Sequence, residues 1–218
     1  MIHLEVDTND EIVRIGQRLE KLAFEAPDVL RLSINAAARK VRKQLTKDVA
    51  EIYTIDDAIL RDRNMGAPRL QTAKPGTIEA VIRSRGPVND LMDFLVQPSS
   101  AGARAKVLRS GGMKPLERGG APAFITQFSS GHRAIVQRQI GQTYSMDGAR
   151  RRIERYGYPH KGQWPDLTRI KKLLGPAVPS MMANEQVQES ARVLLYRTLD
   201  AEIDKRIAKA LKANGGAK

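Results

Sequence analysis

The sequence contains no cysteine, which excludes a disulfide framework, a thiol nucleophile and any zinc or iron-sulfur site built on thiolates. Aromatic residues reach only 5%, poor for a protein that holds single strands of nucleic acid by stacking bases on rings. The three histidines, His3, His132 and His160, form no HExxH, HxH or other ligand spacing. GxSxG is absent as well, and neither Gly111-Gly112 nor Gly119-Gly120 matches a phosphate-binding loop, so both read as turns. Asp56-Asp57 falls at a helix start, where capping explains it. No catalytic residue, metal or cofactor is expected, and the chain does not read as an enzyme. No window approaches about 18 continuous apolar residues, and the N-terminus MIHLEVDTND lacks the basic and apolar regions of a secretion signal. The expectation is a soluble protein made in a cytoplasm, without a membrane partner.

What is present is a chain of 218 residues, 41% hydrophobic and 28% charged, an ordinary globular composition. Its length suits one domain spanning 1–218. The formal net charge is +13, and its distribution is uneven. Residues 1–100 carry 15 basic and 15 acidic side chains, residues 101–175 carry 15 and 4, and residues 176–218 carry 7 and 5. A field concentrated this way attracts phosphate backbones or an acidic protein surface and weakens with salt. The plainer reading is a solvated face that keeps the protein soluble.

Apolar periodicity predicts a helix over 8–24, with Thr8 and Glu11 at capping-box spacing. After a break at Pro27, Asp28 caps a helix of about six or seven turns through Ile52, whose outer face carries Arg39, Lys40, Arg42, Lys43 and Lys47. A short helix follows at 57–62, then a hairpin of 69–73 and 78–83 across Lys74-Pro75-Gly76. Residues 89–96 suit a short helix, 104–109 and 113–116 a basic hairpin, and 123–128 and 133–140 a central hairpin. His132 reads as a turn or surface residue. Residues 141–167, which include the lone Trp164, show little period and read as a long surface excursion with one helical turn near 149–155. A strand at 170–174 and the turn Gly175-Pro176-Ala177-Val178-Pro179 lead to a long C-terminal helix capped by Ser180. There Val187, Ala191, Leu195, Leu199, Ile203, Ile207 and Leu211 recur every four residues, so the stripe winds about 40° per step and should meet the sheet first and another element, or another subunit, later. The fold class is α+β, a mainly antiparallel sheet of about four to six strands packed with long N-terminal and C-terminal helices.

Three segments in this order resemble the phage minor tail protein Z family, the tail completion proteins of lambda-like tails. They are SINAAARKVRKQLTKDVAEIYTI at 33–55, GAPAFITQF at 120–128 with HRAIVQRQIG at 132–141, and IKKLLGPAVPSMM at 170–182. The resemblance implies a small α/β protein at the head-proximal end of a virion tail, needed for tail finishing, head-tail joining and DNA passage. The implied partners are tail terminator or tail tube proteins and head connector proteins, with a homo-oligomeric ring in the assembled tail and weak contact with the DNA backbone. The protein would reside in host cytoplasm during assembly. The family offers no catalytic residue, and the 141–167 excursion departs from its simplest pattern.

For binding, the sequence points to Arg104, Lys106, Arg109, Lys114 and Arg118 as a basic arm and to Arg150, Arg151 and Arg152 as a second basic site. A different class of function, non-specific binding of double-stranded DNA through the same basic segment, fits these residues too. A hydrolase or nuclease has little to stand on.

Overall fold

The computed structural model describes residues 8–99, 102–157 and 167–215. His3, His160, Trp164 and the end of the expected excursion lie outside these residues. The chain divides into two compact units, one of residues 1–88 with 176–218, the other of residues 89–175.

The first unit opens with α1, Thr8–Leu19, whose Ile15 and Leu19 are buried. The expected run to residue 24 stops early, because Glu20 has a φ of 49°, a conformation that breaks an α-helix of L-residues, and a 3-10 segment, Glu20–Glu25, follows. Helix α2 then spans Ala26–Ile52. Pro27 lies in its first turn, where a missing N–H costs nothing, so it starts the helix rather than breaking the chain before it. Leu30, Val41, Leu45 and Val49 are fully buried along one face of α2. Asp56 caps α3, Asp57–Arg61, by accepting from the Ala58 N–H at 2.8 Å. Strands β1, Arg69–Gln71, and β2, Val81–Arg83, pair antiparallel, shorter than expected, with Lys74 and Thr77 exchanging backbone bonds across the turn.

In the second unit, residues 89–96 do not form the expected helix. Asp90 caps a single 3-10 turn, Leu91–Asp93, and the chain then extends into β3, Leu95–Ser99. There follow β4, Gly102–Lys106, β5, Lys114–Pro115, and β6, Glu117–Arg118. Gly119 and Gly120, with φ of 60° and 75°, turn the chain into β7, Ala121–Gln127, which takes in Pro122. β8, Arg133–Thr143, outlasts its expected range. The expected excursion is in part helical: Ser145 caps α4, Met146–Tyr156, which runs about three turns and buries Ala149. β9, Thr168–Lys172, completes the unit.

Pairing in this unit runs β3-β4-β5 and β6-β7-β8-β9, all antiparallel, with the predicted hairpin of β7 and β8 central. The two sets are joined at Leu116, which donates to the Ala103 carbonyl at 3.0 Å and accepts from the Ala123 N–H at 2.7 Å. At the other end, Asp90 pairs with Leu174, the Leu91 N–H reaches the Leu173 carbonyl and the Gly175 N–H the Asn89 carbonyl. The two ends of the unit are thereby zipped together, and the circuit of pairing returns to the segment that feeds β3. Gly102, at φ 123°, permits the crossing of β4 and β7, since a Cβ there would lie 2.8 Å from both the Ala123 carbonyl oxygen and Pro122.

The chain re-enters the first unit through α5, Val178–Met182, and α6, Glu185–Gly215. Ser180 is inside α5. Asn184 caps α6 instead, accepting from the Gln186 N–H at 3.0 Å. Val187 to Ile207 of the winding stripe are buried, whereas Leu211 is exposed. Its partners are helices rather than a sheet: chiefly α2, with α1 and α5. The α+β class holds, with three small antiparallel sheets and long helices at both ends of the chain.

Two polar contacts fix the first unit. Buried Asn35 donates from Nδ2 to the Ala73 carbonyl at 3.0 Å and accepts from the Ala73 N–H at 2.7 Å, pinning the end of the β1 segment to α2. Replacing Asn35 by Ala strands both buried backbone groups, with an expected loss of about 2–4 kcal/mol, readable by urea unfolding. On α6, Glu202 bonds Arg206 and lies 3.7 Å from Lys40 of α2. The Arg206 bond holds the Glu202 carboxyl below its ordinary value against the opposing effect of burial. A carboxyl depressed on folding stabilises above its unfolded pKa and loses that contribution as pH falls through the folded value. Glu202→Gln should therefore lower the melting temperature at neutral pH, and the gap to the parent should close as the pH is taken below 4.5.

Candidate basic docking surface

The two units treat their charge differently. In the first, Arg14, Arg18, Arg31, Lys40, Arg61, Arg192 and Arg206 each pair with a carboxylate. Residues 89–175 hold 15 Lys and Arg against 6 Asp and Glu. Arg104, Lys114, Arg118, Arg133, Arg150, Arg151 and Lys171 are exposed there, and none has a carboxylate within 4 Å among the described residues.

The expected basic arm is real as a hairpin but does not present one face. In β4, Ala103 and Ala105 are buried, and Arg104 and Lys106 point the other way. Lys114 lies opposite Ala105 in the register, so it leaves the sheet on the alanine side. Arg109 lies past the end of β4 and is exposed, and Arg118 borders the Gly119-Gly120 turn of the neighbouring sheet. The five cations surround this end of the unit instead of forming one stripe.

The second cluster is more ordered than its sequence implied. Ala149 turns inward and Arg150, Arg151 and Arg152 are exposed on α4. Arg152 lies over the Tyr144 ring at 4.6 Å and Arg169 of β9 at 5.7 Å, while Arg169 Nε donates to the Thr143 carbonyl. Arg155 lies over Tyr156 at 5.3 Å. These contacts hold guanidiniums flat on aromatic rings without discharging them. Tyr144, Arg155 and Arg169 went unnoticed in the sequence because strand β9 comes 25 residues after Tyr144, and only the fold brings them together.

A further cluster also escaped the sequence. The Asp90 side chain, 9% exposed, lies 2.5 Å from Lys172 Nζ and 2.9 Å from His132 Nε2, which are themselves 3.1 Å apart. His132 is thus a turn residue with a partner, its ring stacked near Phe128. Asp93 accepts from the Asp90 N–H at 2.9 Å. Burial is the largest influence on the Asp93 carboxyl and pushes it up; the Asp90 charge adds to this, and the backbone bond and the two cations oppose it. Its sign is opposite to that of Glu202: a carboxyl raised on folding favours the folded state as pH falls into its range. The cluster ties the start of the unit to the β7–β8 turn and to β9, and so acts as a structural clasp. Among the described residues no group of three His, Asp or Glu is placed to hold a metal ion, and no helix is long and apolar enough to cross a membrane.

Comparison with known proteins gives no matching family model, no matching curated protein and no matching solved structure.

The clasp makes an asymmetric prediction. Lys172→Met leaves a nearly buried carboxylate with His132 alone, an expected cost of about 2 kcal/mol. Asp90→Asn leaves Lys172 and His132, 38% and 52% exposed and able to hydrate, costing about 1 kcal/mol. Amide exchange at residues 89–91 and 173–175 reads both, and a larger loss in the Asn variant would contradict the assignment.

Proposed function

We propose that this protein is a structural tail completion component of a phage, acting at the head-proximal end of the tail through protein-protein contacts. The observation that carries the reading lies in the unit of residues 89–175, where Arg104, Lys114, Arg118, Arg133, Arg150, Arg151 and Lys171 are exposed with no carboxylate within 4 Å among the described residues. An unneutralised surface of this kind raises the rate and specificity of docking to an acidic rim, such as a tail tube or connector presents. The resemblance to the minor tail protein Z family agrees with it in a physical way, because the resembling segments are scaffold: Asn35 of the Asn-Ala-Ala-Ala run clasps Ala73, and 120–141 supplies the central hairpin. Nothing in the arrangement requires chemistry.

The test is charge reversal. Arg150→Glu with Arg151→Glu, and separately Arg104→Glu with Lys114→Glu, should leave unfolding within about 0.5 kcal/mol of the parent, since these residues are exposed. Complementation with either pair should yield tails that fail to join heads. Normal infectious particles from both would overturn the reading.

A second reading, contact with the DNA backbone, is favoured by Arg152 and Arg169 around Tyr144. It predicts that the pure protein binds duplexes of unrelated sequence alike, with an affinity that falls steeply with salt. Absence of binding at about 50 mM salt would remove it.

A further inference from the structure

One cavity of the first unit is lined by cations that no carboxylate among the described residues meets. Between α2, α3 and β1 lies a cavity of about 480 Å³, within the size range of ligand sites. Arg42 and Lys43 from α2, Arg63 from the segment after α3 and Arg69 from β1 line it, and none of these four has a carboxylate within 4 Å among the described residues. Arg61, on the same wall, is held by Asp57 at 3.1 Å. Of the five basic residues that the sequence places on the outer face of α2, Arg42 and Lys43 line this cavity, whereas Lys40 meets Glu202 of α6 instead.

The floor decides what the cations are for. Ala67, Pro68 and Leu70 are half-buried there, with fully buried Leu60 beneath them. Among the described residues no aromatic ring lines the cavity, so a nucleotide base meets none of them to stack on. An aliphatic side chain, in contrast, fits a Pro and Leu floor. β1 supplies Arg69 and Leu70 and, among the described residues, pairs with β2 alone, which leaves one of its edges without a strand from those residues. An open edge beside an apolar floor and a cationic rim suits an extended peptide: main-chain bonds give the affinity, and alternate side chains enter the floor or meet the rim. The four cations select carboxylates for the outward positions.

We propose that this cavity binds an extended acidic segment of a partner protein, with aliphatic residues alternating with Glu or Asp, laid along the open edge of β1. The site belongs to the first unit and does not depend on what residues 89–175 contact.

The experiment uses the full chain and three fluorescent probes: an alternating Glu-Leu peptide of about eight residues, an all-Glu peptide of equal charge and a duplex of about 30 base pairs. Anisotropy at low salt should show the alternating peptide binding at least about tenfold more tightly than the all-Glu peptide, the worth of about one or two buried aliphatic groups. Arg63→Glu with Arg69→Glu, both exposed, should abolish that binding and leave the melting temperature unchanged. The same pair should barely affect duplex binding. Arg150→Glu with Arg151→Glu should leave peptide binding intact, which separates this site from the surface of the second unit. Should the variant instead fold poorly, Arg63→Gln with Arg69→Gln must still weaken the peptide and reduce its salt dependence. Three results would overturn the proposal: no peptide binding at low salt, equal affinity for the two peptides, or a duplex that binds the cavity and is lost with Arg63 and Arg69.

Discussion

The second unit depends on a closure. It leaves and rejoins the first unit at residues 88 and 176, and a stretch of 87 residues inserted this way must bring its own ends together. The backbone bonds of Asn89 with Gly175 and Leu91 with Leu173 do this, and the Asp90 carboxylate, set on Lys172 and His132, locks it. Gly175 is required at the join because a Cβ would run into the Phe94 ring. With the ends zipped, the circuit of strands has few free edges to offer for unwanted pairing.

The closure also answers an electrostatic problem. A unit with 15 basic and 6 acidic side chains repels itself, and each unpaired cation raises the cost of compactness. Asp90 is placed where its carboxylate meets both Lys172 and His132 at the seam. Arg152 and Arg169 on Tyr144, Arg155 on Tyr156 and Arg138 on Phe124 hold further guanidiniums on rings, which keeps their charge available. The first unit spends Glu202, Asp204 and Asp28 on neighbours, and four of its remaining cations, Arg42, Lys43, Arg63 and Arg69, line one cavity.

The long helices were legible because their stripes are long: α2 and α6 follow from the spacing of Leu30 to Ile52 and Val187 to Ile207. The central hairpin was legible from its alternation and its glycine turn. Boundaries failed where one side chain overrides periodicity, at Glu20, which ends α1, and at Asp90, which caps a 3-10 turn where a helix was expected. The start of α6 moved from Ser180 to Asn184 because the two prolines began a short helix of their own. α4 was underestimated since its only buried residue is Ala149, too little for an apolar period. Of the site, sequence supplied the cations but not their faces, because Lys114 and Arg104 separate only once the register is known. The Asp90 clasp and the β1 cavity join residues far apart in the chain, and no local pattern marks them.

The most direct measurement is to tag the protein at its C-terminus, purify assembled tails and complete particles, and locate the tag by electron microscopy. The account predicts a label confined to the head-proximal end of the tail. Particles that carry no label, from cells that express the tagged protein, would contradict it.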